Sequence, residues 1–200
     1  MIRFPVIRPD IPAPAEWMGL LEISYAAGRF TNFGPLSRQL EGELTRRWGG
    51  PESACVLASS GTAAIAAPLI ALGIRSRVLV PAFTFPATLA AVRMADAVPV
   101  VIDVCPDEWL VSAADLDAAF SRTAAKAAVV VSPFGLTSDF TRQAAVARRH
   151  GAVLVIDSAA GLGADRIRHE NKADVFEAYS LHATKPFAIG EGGAIFADRS

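Results

Sequence analysis

The sequence has 200 residues, of which 52% are hydrophobic and 20% charged, and a net charge of −1. Such a composition describes a globular chain with one sizeable core that needs neither disulfides nor metals to form. The near-neutral balance gives no electrostatic case for nucleic acid or an anionic membrane, and leaves a small molecule or a second copy of the chain as the expected partner.

The first twelve residues, Met1 to Pro12, carry two arginines and three prolines without a continuous apolar stretch, so no signal peptide is expected. Two helical patterns follow, about Glu16 to Ala27 and Leu36 to Trp48. Strand-like and helix-like segments then alternate. Strands are expected at Ala54–Ala58, Arg77–Val80, Val98–Val104, Ala127–Ser132 and Ala152–Asp157. Each is rich in Val and Ile and apolar on both faces, as a sheet covered on both sides requires. Helices are expected between them at Thr62–Leu72, Ala87–Ala95, Ala113–Arg122 and Thr141–His150. Ser112 with Asp115 marks a helix start, and Gly151 after His150 marks a stop.

The longest apolar segment, near Ala63 to Ile74, contains Pro68 and is far shorter than the ~20 residues a membrane span needs. A soluble, cytoplasmic protein is expected. Cys55 and Cys105 are too few and too far apart for a disulfide framework or a zinc site, and both are read as buried free thiols in a reducing compartment.

Toward the end the pattern changes. Asp174–Tyr179 and Ala194–Ala197 read as short strands separated by a loop that holds Lys185 and the cluster Gly190, Gly192, Gly193. The chain stops at Ser200 directly after a strand, and is expected to be unfinished there. The alternation implies an α/β fold, a three-layer sandwich with a mostly parallel central sheet. Ligands in such folds bind at the carboxyl ends of the strands.

Four features at those ends carry chemistry. Ser59-Ser60-Gly61-Thr62-Ala63-Ala64 follows a strand and opens an apolar helix, whose first amides have no intrahelical partner and favour an anion such as phosphate. Ser60 as an ordinary helix cap is the plainer alternative. Asp157 closes the strand Val153-Leu154-Val155-Ile156, where a carboxylate needs a partner to offset desolvation. A protonated pyridine nitrogen is one such partner; a capping role in the turn is the other reading. Lys185 is one of only three lysines, with Lys126 and Lys172, against 16 arginines. Lysine forms Schiff bases when burial lowers its pKa, although an isolated lysine is usually solvated surface. Phe85, in Pro81-Ala82-Phe83-Thr84-Phe85, could stack on a flat heterocycle, while Phe83 and Phe85 also suit a core.

In order and spacing these segments resemble one family. Ser60-Gly61-Thr62-Ala63-Ala64, Pro81 to Thr88, Ile156-Asp157-Ser158-Ala159, and Ser180-Leu181-His182-Ala183-Thr184-Lys185 with Gly190-Glu191-Gly192-Gly193 are similar to the DegT/DnrJ/StrS family of fold type I, pyridoxal-phosphate (PLP)-dependent sugar aminotransferases. Thr31-Asn32-Phe33-Gly34-Pro35 and Gly135 in Pro133-Phe134-Gly135 also match. The resemblance runs from about residue 15 to the end and is most specific around Lys185.

The resemblance implies roles. Lys185 would form the Schiff base with PLP and carry the proton to and from the substrate carbon. Asp157 would pair with the pyridine nitrogen, and Phe85 would stack on the ring. Ser60, Gly61, Thr62 and the Ser180 hydroxyl would hold the phosphate. The reaction implied is transfer of an amino group, from glutamate, to a keto group of a nucleotide-linked sugar, as in polysaccharide biosynthesis. Residues 1–50 would be an N-terminal helical segment and 51–200 the PLP-binding large domain, truncated and without its small domain. The full-length protein would be a homodimer, and this chain alone would be inactive.

Two positions depart from the family's habit. Ala160 stands where Gln or His is common, three residues after the aspartate, and Ser132 stands where a histidine is frequent. Other readings are a non-catalytic PLP-fold remnant or a PLP-dependent sugar dehydratase, whose branch typically carries histidine in place of Lys185. A Rossmann dehydrogenase is disfavoured because no G-x-G-x-x-G follows the early strands.

Overall fold

The computed structural model describes residues 7–50, 52–164 and 174–198. Among these residues the apolar runs form one seven-stranded sheet. Its strands are β1 (Ser53–Ala58), β2 (Arg77–Pro81), β3 (Val98–Ile102), β4 (Ala127–Val131), β5 (Val153–Asp157), β6 (Val175–Ser180) and β7 (Gly193–Asp198). They lie in the order β1-β7-β6-β5-β4-β2-β3. β7 runs antiparallel to β1 and β6, and all other neighbours pair in parallel. Six helices accompany the sheet among the described residues: α1 (Pro14–Ala26), α2 (Pro35–Trp48), α3 (Gly61–Ala71), α4 (Pro86–Met94), α5 (Ala113–Thr123) and α6 (Thr141–Arg149).

Side chains along a strand alternate between faces, and here both faces are apolar because both are covered. Val153 and Val155 of β5 join Val78, Val80, Ala127 and Val129 in one cluster with Ile65 and Leu69 of α3 and Val92 of α4. The intervening Leu154 and Ile156 join Leu79, Ala128 and Val130 in a second cluster with Leu116 and Phe120 of α5 and Ala144 of α6. Beside that second cluster, Leu44 of α2 packs with Cys55, Tyr179, Leu181 and Phe196. The expected three-layer sandwich with a mostly parallel sheet is therefore the architecture observed.

The helices begin and end as local chemistry dictates. The Ser112 hydroxyl accepts a hydrogen bond from the Asp115 amide at 3.0 Å and caps α5. Gly151, with φ +57°, takes the left-handed conformation just past the end of α6. α1 behaves differently. Pro14 opens it and the Glu16 carboxylate accepts from the Ala13 amide at 2.9 Å, yet Trp17, Met18, Leu20, Leu21, Ile23 and Tyr25 are all exposed.

Three expectations are corrected. β3 ends at Ile102 rather than Val104 because Asp103 turns the chain, its carboxylate accepting from the Val104 amide at 2.9 Å. β3 is also not covered on both faces: it forms the sheet edge, and Val98 and Val101 are exposed. Cys55 is buried as expected, but Cys105 is only half-buried. It lies in a turn closed by the Trp109 amide donating to the Cys105 carbonyl at 2.7 Å. No described helix is long and apolar enough to cross a membrane.

Leu154 is fully buried at the centre of the sheet. Leu154→Ala should lower unfolding free energy by about 2–5 kcal/mol through lost transfer energy and an uncollapsed cavity. A denaturant titration followed by circular dichroism measures this, and a loss under about 1 kcal/mol would mean that the site collapses around the truncation.

Candidate functional site

β2 and β4 are sheet neighbours, but the helices that follow them lie on opposite faces: α4 packs in one cluster and α6 in the other. The loops leaving their carboxyl ends therefore diverge, and a crevice opens between them, where ligands bind in folds of this kind. A cavity of 460 Å³ occupies that place. Phe83, Thr84 and Phe85 line it after β2, residues 131–134 at and after the end of β4, Asp157, Ala159 and Ala160 at and after the end of β5, and Lys185 after β6.

Asp157 is the last residue of β5 and is only 4% exposed. Its Oδ2 accepts from the Thr88 hydroxyl at 2.8 Å and its Oδ1 from the Ala159 amide at 3.2 Å. Burial raises its pKa above the ordinary carboxylate range, and these two hydrogen bonds and the Lys185 charge only partly oppose the rise. Thr88 is completely buried, and its hydroxyl also lies 2.6 Å from that of Thr84 on the cavity wall. A hydroxyl relay thus runs from the cavity to the back of the carboxylate.

Lys185 is half-buried in a loop that closes on itself. The Leu181 amide donates to the Gly192 carbonyl at 2.9 Å, and Ala183 donates to Gly190 at 2.8 Å. The Lys185 amide donates to the His182 carbonyl at 2.9 Å. Gly190, at φ +105°, adopts a conformation that a side chain would strain. Phe85, expected at a ring-stacking position, stands at the start of α4 and is 74% exposed on the cavity rim.

Asp157, Lys185 and Phe85 thus share one cavity. Ser60, Gly61, Thr62 and Ser180 do not line it, but form a second cluster at the carboxyl ends of β1 and β6. Ser60 caps α3, its hydroxyl accepting from the Ala63 amide at 3.1 Å and keeping its own proton to donate. The Gly61 and Thr62 amides precede the first intrahelical bond and stay available to an anion. A Cβ on Gly61 would lie 2.8 Å from that of Ser180, which fixes the close approach of α3 to β6.

Residue-by-residue reading of the sequence assigned no role to Thr88 or to the cluster formed by Phe83, Trp109 and Phe134. Phe83, expected as a core residue, is 43% exposed. Its ring lies 5.9 Å from Trp109 and 6.1 Å from Phe134, and the last two are 5.8 Å apart. Trp109 and Phe134 hold φ values of +59° and +57°, a left-handed backbone that costs a non-glycine residue about 1–3 kcal/mol. In the sequence Phe83 stands in the segment from Pro81 to Thr88 and Phe134 in Pro133-Phe134-Gly135, both part of the family resemblance, whereas nothing marks Trp109.

The chain belongs to the DegT/DnrJ/EryC1/StrS aminotransferase family, whose model matches residues 15–200. An L-glutamine:2-deoxy-scyllo-inosose aminotransferase from Streptomyces kanamyceticus is 39% identical over 145 residues, covering 70% of this chain and 33% of the relative. The structure of DesI in the presence of its TDP-sugar product is similar at a TM-score of 0.83 and 29% identity, over 96% of this chain and 48% of DesI. A Streptococcus pneumoniae protein solved in its PLP form gives 0.81 and 26%, over 98% of this chain and 53% of that protein. These likenesses place the fold among the fold type I, PLP-dependent aminotransferases. The chain spans about half the length of the first curated relatives it matches, 49% of a Mycobacterium tuberculosis protein for instance.

The raised pKa of Asp157 has a sign for stability. Between the ordinary carboxylate value and the higher folded-state value, the folded chain binds more protons than the unfolded one. Stability therefore falls as pH rises through that window, and the full cost of the buried charge is present above it. Asp157→Asn should raise the melting temperature of the ligand-free chain at pH 8, with the gain fading toward about pH 3.5, below the ordinary aspartate value. Calorimetry across that range tests this; a variant less stable than the parent at every pH would overturn it. Thr88→Val should raise the Asp157 pKa further and Thr88→Ser should leave it near the parent value, as read by carbon-13 carboxyl NMR. Equal titration curves for all three proteins would deny Thr88 its role.

Proposed function

We propose that this chain is the cofactor-binding part of a PLP-dependent aminotransferase that acts on a sugar or sugar-like keto substrate. The observation that carries this reading is a buried, incompletely compensated carboxylate, Asp157, that lines a largely apolar cavity together with Lys185. A flat, apolar ring with one protonated nitrogen suits that cavity, because it adds positive charge beside Asp157 beyond the partial compensation that Lys185 gives, and covers the exposed Phe85 ring. When bound, PLP supplies an electron sink that stabilises negative charge on the donor's α-carbon.

The residues divide the work. Asp157 holds a proton on the pyridine nitrogen, and Thr88 helps keep the carboxylate ionised for that purpose. Lys185 Nζ would hold the cofactor covalently until the donor's amine displaces it, and the freed amine would then carry the proton to and from the substrate carbon. Phe85 packs against the ring. The Gly61 and Thr62 amides, with the Ser60 and Ser180 hydroxyls, receive the phosphate at the start of α3.

The amino donor in this proposal is glutamate or glutamine, and the acceptor is a keto group of a nucleotide-linked sugar or a cyclitol. Support comes from the family match and from relatives that act on both kinds of molecule. The acting unit is a cytoplasmic homodimer of a longer protein. In it residues 1–50 form a helical segment and 51–200 the cofactor-binding domain, and the exposed apolar side chains of α1 are covered in the assembly.

With added PLP, borohydride reduction and peptide mass spectrometry should find the cofactor on Lys185, and Lys185→Ala should leave no labelled peptide while keeping the parent's circular dichroism spectrum. Label on Lys126, or on Lys172, which lies outside the described residues, would sink the assignment.

A further inference from the structure

We propose that Phe83, Trp109 and Phe134 form a subsite that receives the C–H face of the acceptor's saturated, polyhydroxylated ring. This deepens the proposed function and rests on it for the identity of the substrate. Three loops that follow adjacent strands, β2, β3 and β4, each deliver one of the aromatic rings to the same point. Phe83 and Phe134 also line the cavity that holds Asp157 and Lys185, so the cluster continues the candidate active site.

Two observations separate this group from ordinary packing. Its rings are exposed, at 43% for Phe83, 44% for Trp109 and 73% for Phe134, so core burial is not what holds them there. Trp109 and Phe134 also sit on left-handed backbone, which bulky residues rarely adopt. Strained, exposed residues persist where the surrounding structure over-determines them, and they cluster at ligand clamps.

Ring geometry selects the ligand class. The three rings meet at interplanar angles of 47°, 63° and 84°. No two are parallel, so the group offers no slot in which a flat base could be sandwiched. It offers instead a corrugated wall of ring faces and edges. A chair-shaped polyol presents C–H groups along its faces, which carry partial positive charge and suit the negative face of an aromatic ring. Thr84 and Ser132 stand on the same cavity wall, and although their hydroxyls already bond Thr88 and the Leu136 carbonyl, the oxygens keep lone pairs to which the ligand's hydroxyls would donate. Phe83, Trp109 and Phe134 would thereby set how the acceptor's keto carbon is presented toward Lys185.

The test uses nitrogen-15 NMR of the chain, alone and with PLP, with the Trp109 indole signal assigned from Trp109→Phe. Titration with 2-deoxy-scyllo-inosose should shift that signal saturably and leave the Trp17 and Trp48 indoles unmoved. Phe134→Ala should weaken the apparent affinity about tenfold, the scale of one lost ring contact. Phe134→Gly removes the same ring and relaxes the left-handed backbone, so it should fold as the parent does and show the same loss. An unmoved Trp109 signal overturns the subsite, as does a signal that responds to thymidine monophosphate but not to the cyclitol. Borohydride capture on Lys185 reads the proposed function separately: capture without a Trp109 response removes the subsite alone, and absence of capture removes the function reading.

Discussion

The hydrogen bond from Thr88 to Asp157 joins the first turn of α4 to the carboxyl end of β5, two elements 69 residues apart along the chain. A charge at the end of so apolar a strand is costly, and this bond, together with the Ala159 amide, is what makes it tolerable. Most of the site follows from that placement. α4 must lie close against the sheet for Thr88 to reach. Phe85, at the start of the same helix, is thereby carried to the rim of the cavity above the carboxylate.

The cavity itself is a consequence of how the chain winds. From β2 the chain passes outward to β3 at the edge, then returns past β2 to β4 and onward to β5 and β6. The reversal sends α4 and α6 to opposite faces, so the crevice between β2 and β4 needs no special residues to exist. Close contacts elsewhere need glycine. A Cβ on Gly193 would lie 2.2 Å from the Ser60 carbonyl oxygen, so the start of β7 can pass beneath the α3 cap only without a side chain. That contact couples the loop carrying Lys185 to the proposed phosphate site, although the two do not share one cavity.

Stability and function pull apart here in a recognisable way. The buried carboxylate and the left-handed Trp109 and Phe134 all cost folding energy, and all three lie on or beside one cavity. The core clusters on either face, filled by Val, Leu and Ile in regular alternation, offset that cost.

How much of this was legible in the chain depends on how local each feature is. Alternating apolar strands and helices determined the layered fold, since period and composition act over a few residues. Asp157 could be located from the sequence because it ends its strand, and Lys185 because it is a rare residue in a glycine-bounded loop, whereas Ser180 was marked only by the family resemblance. The order of the strands lay beyond local signals. Nothing in the residues of β7 says that it pairs antiparallel between β1 and β6, and only the closure of the whole sheet decides it. β3 reads like its neighbours, yet it becomes a partly exposed edge because no strand lies beyond it. The pairing of Thr88 with Asp157 and the grouping of Phe83, Trp109 and Phe134 were silent for the same reason. Their contacts form between segments far apart in the chain, and those segments meet only after the sheet has wound and the helices have packed against it.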